Sequence, residues 1–269
     1  MKQIVLTALS LLIAIASTGQ TTILDTSLEK DFANEVKSIA EFVGRFNGDE
    51  SKPAVASDSL WRSHNIASLF DTKMSHKGLS DEAFLQQIKD FVSSVCDWDG
   101  KLTIESNAFA EATCIIKYKG KKYDISVVLK REKTAKGDNK WAVAGLKGMS
   151  SLKLYSNKRM AISPVEHEIH FMGMADFFGG NCSRVPHIRS NDKEIDELSF
   201  FLGLCIAGAI TFVKVDELKM HFVGLPGYVF SIEEITRKGD NSGWLITDMQ
   251  KADDNAKMEY INNLLGIND

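Results

Sequence analysis

The residues best spaced for chemistry are Glu166-His167-Glu168-Ile169-His170. On a helix, Glu166 and His170 are four apart and His167 and His170 three apart, so their side chains share one face. Such a group can converge on a divalent metal or act as an acid and base pair. It is not the HExxH pattern of zinc proteases, because the second histidine comes too soon, and no third ligand is evident for a zinc ion. The plainer reading is a capped helix start. Ser163 is the N-cap, Pro164 takes the first helical position and Glu166 closes a capping box, while Glu168 favours the positive helix end. Asp176 follows on the same expected helix, so Glu166, His167, His170 and Asp176 are the candidate ligand-binding residues, with no catalytic residue, metal or cofactor assigned.

Other groups are weaker. Tyr118, Tyr123 and Tyr228 fall on expected strands near Asp97 and Asp124, but a tyrosine at a strand end more often packs its ring and leaves its oxygen wet. Two Gly-Asp-Asn segments, at 137–139 and 239–241, offer acidic oxygens. A calcium loop needs about six oxygens and a distant Glu, whereas tight turns need these same residue types, so the segments read as turns. Cys96, Cys114, Cys182 and Cys205 show neither CxxC nor Cys/His zinc spacing. Cys114 and Cys205 sit in apolar patterns, where cysteine behaves as a small buried hydrophobe, and bridges are left open. No phosphate-binding glycine loop or GxSxG elbow occurs.

The elements that position these groups follow from periodicity. Ser27–Phe46 carries apolar residues at helical spacing and is stopped by Gly48; residues 47–59 read as a loop, followed by a short amphipathic piece at Leu60–Phe70. A second helix starts at the Ser80 N-cap, with Phe84, Ile88, Phe91, Val92 and Val95 inward. Alternation then predicts strands at Leu102–Ser106, Glu111–Tyr118, Tyr123–Arg131 and Lys140–Lys147. In the second half, helices are expected from Ser163 to Phe178 and over Asp192–Gly208, strands at Ile210–Val223, Tyr228–Arg237 and Trp244–Gln250, and a closing helix at Ala252–Leu265.

A repeat organises this series. Lys117–Met149 and His221–Met249 both run from a glycine (Gly120, Gly224) to a tyrosine followed three residues later by serine, through Gly-Asp-Asn, into Trp141 or Trp244. Two copies of one hairpin imply two copies of one domain. The two tryptophans then read as equivalent core anchors. The tyrosines lie about 105 residues apart, the size of one folding unit.

Lys2, the apolar run Ile4–Ala16 and the small residues Ser17 and Gly19 before Gln20 read as a signal peptide, 1–19, and hence a periplasmic or secreted protein. A cut directly before Gln resembles exported proteins of the Bacteroidetes. No later apolar run is long enough to span a bilayer. A net charge of −4 with scattered Lys and Arg offers no basic stripe, which argues against nucleic acid.

Helices followed by antiparallel strands in each half define an α+β class. The element order and the Tyr…Gly-Asp-Asn…Trp hairpin resemble the NTF2-like, cystatin-like superfamily, in which a long helix packs on a curved sheet. That resemblance implies two tandem domains, 20–149 and 163–269, joined by a linker at 150–162. NTF2-like enzymes place an acid or histidine with a tyrosine inside the cone, and no residue here matches such a motif. Because the fold hosts many functions, two expectations stand. One is an exported, non-catalytic protein that binds a small molecule, glycan or protein. The other is a lyase, isomerase or hydrolase acting on a small apolar substrate in the second cone. An enzyme requires converging titratable groups in a pocket, whereas an interaction protein can have a filled cone and an exposed apolar patch.

Overall fold

The computed structural model describes residues 36–49, 58–105, 107–152, 196–237 and 241–267. The fold is α+β. Five described helices, α1 (Ile39–Asn47), α2 (Asp58–Ser68), α3 (Asp81–Asp97), α4 (Glu197–Ile206) and α5 (Asp254–Leu265), accompany one six-stranded antiparallel sheet. Its strands are β1 (Ala108–Tyr118), β2 (Lys121–Lys133), β3 (Asn139–Lys147), β4 (Ile210–Phe222), β5 (Tyr228–Ile235) and β6 (Gly243–Lys251), in the order β3-β2-β1-β4-β5-β6. Each set of three consecutive strands is thus a meander, and β1 lies beside β4.

Local chemistry explains most boundaries. Ser80 caps α3 by accepting from the Ala83 amide, and the five residues expected inward are the ones buried. The β1–β2 turn uses Lys119 and Gly120, both at positive φ (47° and 80°), as a two-residue hairpin with matching twist requires. At the next turn Gly137 supplies the left-handed step (φ 88°), with its amide donating to the Thr134 carbonyl. The Gly-Asp-Asn segment here does turn chemistry.

Four expectations are corrected. The helix expected over Ser27–Phe46 does not run unbroken, since Val36–Ser38 is not helical and the described helix begins at Ile39: Ser38 accepts from the Glu41 amide while the Glu41 carboxylate accepts from the Lys37 amide, a reciprocal cap that starts the helix locally. Val36, ahead of that cap, is extended and forms a parallel bridge with Gly243. Of the strand expected at Leu102–Ser106, the described residues 102–105 are not a strand, because the Asn47 side chain takes both Leu102 backbone groups (2.8 and 2.9 Å) that a ladder would need. Trp141 is not a core anchor. It stands 41% exposed on the outer strand β3 with the Arg131 guanidinium 5.8 Å from its ring centre, whereas Trp244 is buried. Finally, the helix expected over Asp192–Gly208 is α4, which starts after the Asp196 cap and ends at Ile206, with Phe201 buried and Leu202 exposed. Bonds from the Ser199 hydroxyl and amide hold the Asp196 carboxyl below the usual carboxylate range.

The described residues divide into two compact units. One comprises the described residues up to Thr113, Val127–Gly145 and those from Val215 onward; the other comprises Cys114–Ser126 and the described part of Leu146–Lys214. In the first, α1, α2 and α3 cover one face of the sheet, and the core joins Phe42, Phe46, Phe70 and Phe91 to Phe222, Tyr228, Phe230, Trp244 and Ile246. Phe222 stacks on Phe230 (4.9 Å), Phe230 on Phe46 (5.4 Å), and Phe91 meets Phe230 edge-on (5.6 Å). In the second, Met149–Leu152 forms a short 3-10 turn with both end residues buried, and Phe201 meets Phe212 edge-on (6.0 Å).

Candidate functional site

Glu166, His167, His170 and Asp176 lie outside the described residues, as do Cys182, the segment 1–19 and the helix expected at 163–178. Cys96 and Cys205 carry free thiols and Cys114 is buried. Of the tyrosines weighed above, Tyr228 is buried edge-on against Phe91 (5.1 Å), and Lys119 sits 5.1 Å from the Tyr118 ring centre. None of them gathers an acid or base within hydrogen-bond reach in the structure as described. Among the described residues no group of three His, Cys, Asp or Glu is placed to hold a metal ion.

The polar cluster that does form was not legible as one. Side chains alternate across a strand, so on β4 Met220 and Phe222 enter the aromatic core while His221 points to the opposite face. There His221, only 4% exposed, meets Glu111 of β1 and Tyr260 of α5. Its Nε2 lies 3.2 Å from Glu111 Oε2 and its Nδ1 2.6 Å from the Tyr260 hydroxyl. An ionised carboxylate only accepts, so Nε2–H donates to Glu111, and in the neutral ring Nδ1 is left to accept from the tyrosine. Ser231, the cross-strand partner of His221, is buried on the same face with its hydroxyl lacking a hydrogen-bond partner. Since both imidazole nitrogens are engaged, His221 is not placed to take a proton from Ser231. The three groups converge on one another. Residues of α5 complete the cover, with Ala256, Tyr260 and Ile261 packed over Val223, Val229 and Ala252.

Burial raises the Tyr260 phenol well above its ordinary value, and the Asp248 and Glu111 carboxylates push it the same way. The folded chain therefore holds this proton more tightly than the unfolded chain does. The stabilisation is fully present below about pH 10, where both states are protonated, and is lost as pH rises and only the unfolded chain ionises. For one such proton the loss is about 1.4 kcal/mol per pH unit. Unfolding free energy measured from pH 8 upward is expected to decline along this limb in the native chain and to flatten in Tyr260→Phe. Equal limbs in the two proteins would refute the assignment.

The second distinctive feature is on β4 itself. Its ladder with β5 uses only Lys219–Phe222, and Thr211–Leu218 is exposed throughout. Phe212 (50%), Val213 (44%) and Val215 (60%) are adjacent or alternate, so apolar side chains meet solvent on both faces of the strand. Sequence alternation showed a strand here without showing that its neighbour stops short.

No family model, no curated protein and no solved structure matches this chain. Among the described residues no helix is long and apolar enough to cross a membrane.

Proposed function

We propose that this chain is a non-catalytic interaction protein whose working surface is the exposed part of β4. The observation that carries this reading is the exposure of Phe212, Val213, Val215 and Leu218 on β4, with apolar side chains on both faces of the strand. An exposed apolar patch of this kind marks a contact surface. The helix-covered face of the sheet points the same way, since Phe42, Phe46, Phe91, Phe222 and Phe230 fill it with side chains almost wholly removed from solvent. A substrate cone would need that volume. His221, Glu111 and Tyr260 do converge, but they satisfy each other beneath α5.

The finer architectural reading belongs to the same proposal: two NTF2-like, cystatin-like repeats, each contributing one three-stranded meander, in an exported protein cut before Gln20. The duplicated hairpins β2–β3 and β5–β6 and the mirrored strand order support it. A small-molecule or glycan ligand is the reading it displaces.

Native mass spectrometry of the chain isolated from its own source tests the function. The expected result is a chain held in protein complexes and carrying no small molecule. A stoichiometric small-molecule adduct released on denaturation would overturn the proposal.

A further inference from the structure

We infer that the connection between α4 and β4 is an apolar tip that dips into the surface of an anionic lipid bilayer, drawn there by the lysines of the β1–β2 turn. It adds a second surface and a second class of partner to the interaction reading of β4.

From Leu198 to Val213 no side chain carries a charge, and only Ser199 and Thr211 carry a hydroxyl. Yet most of the segment is not buried. Ile206, at the end of α4, is 89% exposed, and Leu202, Phe212 and Val213 are exposed with it, as are Ala207, Gly208 and Ala209 between helix and strand. Water is a poor medium for such a tip. Its backbone is prepared for an apolar one, since the amides of Ala207, Gly208 and Ala209 donate to the carbonyls of Gly203, Cys205 and Leu204 (2.9, 3.0 and 2.9 Å). Gly208 takes the left-handed step (φ 66°) that closes this cap. Backbone groups that enter lipid must be satisfied within the chain, and these donors are.

Charge selects the partner. Lys117, Lys119, Lys121 and Lys122 crowd one hairpin turn, and the only acid between Cys114 and Ser126 is Asp124. All four lysines are exposed, and among the described residues none of them forms an ion pair. Tyr118 and Tyr123 lie half-buried among them, and such amphipathic rings sit at the level of lipid headgroups. The Val223 amide donates to the Asn107 carbonyl (3.1 Å), so β1 starts beside the end of β4. Counting back equally along two antiparallel strands sets Tyr118 level with Phe212, and the lysine turn beside the apolar tip. Cys114–Ser126 and Leu198–Val213 also belong to one compact unit. Clustered lysines attract anionic headgroups, and an apolar segment beside them enters the boundary between headgroups and acyl chains. A nucleic acid would satisfy the lysines and leave the tip in water. With 10 residues α4 is too short to cross a bilayer, so the tip lies on it.

The test is co-sedimentation of the full chain with vesicles of phosphatidylcholine alone and of phosphatidylcholine and phosphatidylglycerol in equal parts, with circular dichroism to verify the fold of every variant. The native chain is expected to bind the mixed vesicles at least roughly ten-fold more tightly than the neutral ones, and salt should release it. Ile206→Asp sets a charge in the tip and is expected to weaken that binding at least roughly ten-fold. Lys121→Glu with Lys122→Glu is expected to abolish the preference for anionic lipid. Lys133→Glu with Lys136→Glu, an equal charge change at the β2–β3 turn, should leave the preference intact. Should Ile206→Asp fail to fold, Ile206→Trp decides: its added emission should shift to shorter wavelength on the mixed vesicles.

A native chain that ignores both kinds of vesicle overturns the inference, whether or not it binds DNA or pairs with itself. So does binding that is equal on both kinds, that Ile206→Asp leaves intact, or that the β2–β3 pair weakens as much as the β1–β2 pair, and so does an unshifted Ile206→Trp. Binding through Ile4–Ala16 falls in this class, because that segment is common to every variant. None of these outcomes touches the interaction reading of β4, which fails on a bound small molecule instead.

Discussion

Replacing Phe230 with alanine is expected to cost about 3–5 kcal/mol of folding stability, the range for deleting a large aromatic from a packed core. Phe230 is 1% exposed and its ring meets four others: Phe222 at 4.9 Å, Phe46 at 5.4 Å, Phe91 at 5.6 Å and Phe42 at 6.4 Å. The site cannot collapse easily, because three of those rings belong to helices α1 and α3 and the fourth to β4. Removing the ring therefore forfeits both transfer free energy and the contacts of the surrounding rings. Domains are stable by only about 5–15 kcal/mol, so the variant should unfold at far lower urea. Equilibrium urea unfolding checks this. A loss under about 1.5 kcal/mol would mean that the aromatic stack tolerates a hole of this size.

The second large effect is expected at Arg237. Its guanidinium lies 2.5 Å from the Asp71 carboxylate, with both side chains about nine-tenths buried, and also donates to the Asn241 carbonyl (2.8 Å) and side-chain oxygen (2.7 Å). Asn241 in turn donates to the Ser68 and Phe70 carbonyls. The network binds the residues after α2 to the β5–β6 connection, beside the Phe70–Ile246 bridge. Arg237→Ala leaves the buried Asp71 carboxylate with only the Lys73 amide as a donor and removes the two bonds that Asn241 accepts, and a loss of about 3 kcal/mol follows. The diagnostic is the cycle with Asp71→Ala. The double variant should cost less than the sum of the singles, with a coupling of about 2 kcal/mol or more. Additive losses would show that the pair contributes nothing beyond its separate packing.

What was legible in the sequence and what was not divides along physical lines. The α3 helix was readable to the residue because its cap and its apolar stripe are both local. The hairpins were readable because turn residues and period-two alternation are local as well. Ser38 and Glu41 carry a cap signal in the sequence, yet the apolar spacing running back through Val36 masked it. Trp141 and Trp244 occupy the same place in each hairpin, but burial depends on what covers a strand, and that is set by residues far away. The same holds for the polar cluster. His221 sits in an apolar alternation between Met220 and Phe222, so its face could be deduced, but neither Glu111 nor Tyr260 announces itself as its neighbour across separations of 110 and 39 residues. The candidates at Glu166–His170 and Asp176 fall outside the described residues.

The bridge between Val36 and Gly243 has a consequence for the order of events in synthesis. Gly243 has no side chain where a Cβ would sit 2.2 Å from the Val36 carbonyl oxygen, so the earliest described residue is seated against one of the last strands. The aromatic core spans the same distance, with α1 to α3 on one side and Phe222 to Met249 on the other. As the chain leaves the ribosome, α1 and α3 lack the strands β4, β5 and β6 that bury their phenyl rings until those strands have been made. Long-range closure of this kind is slow, and the waiting helices expose apolar surface meanwhile. A chain truncated before β6 is expected to leave the rings of α1 and α3 without part of the surface that buries them.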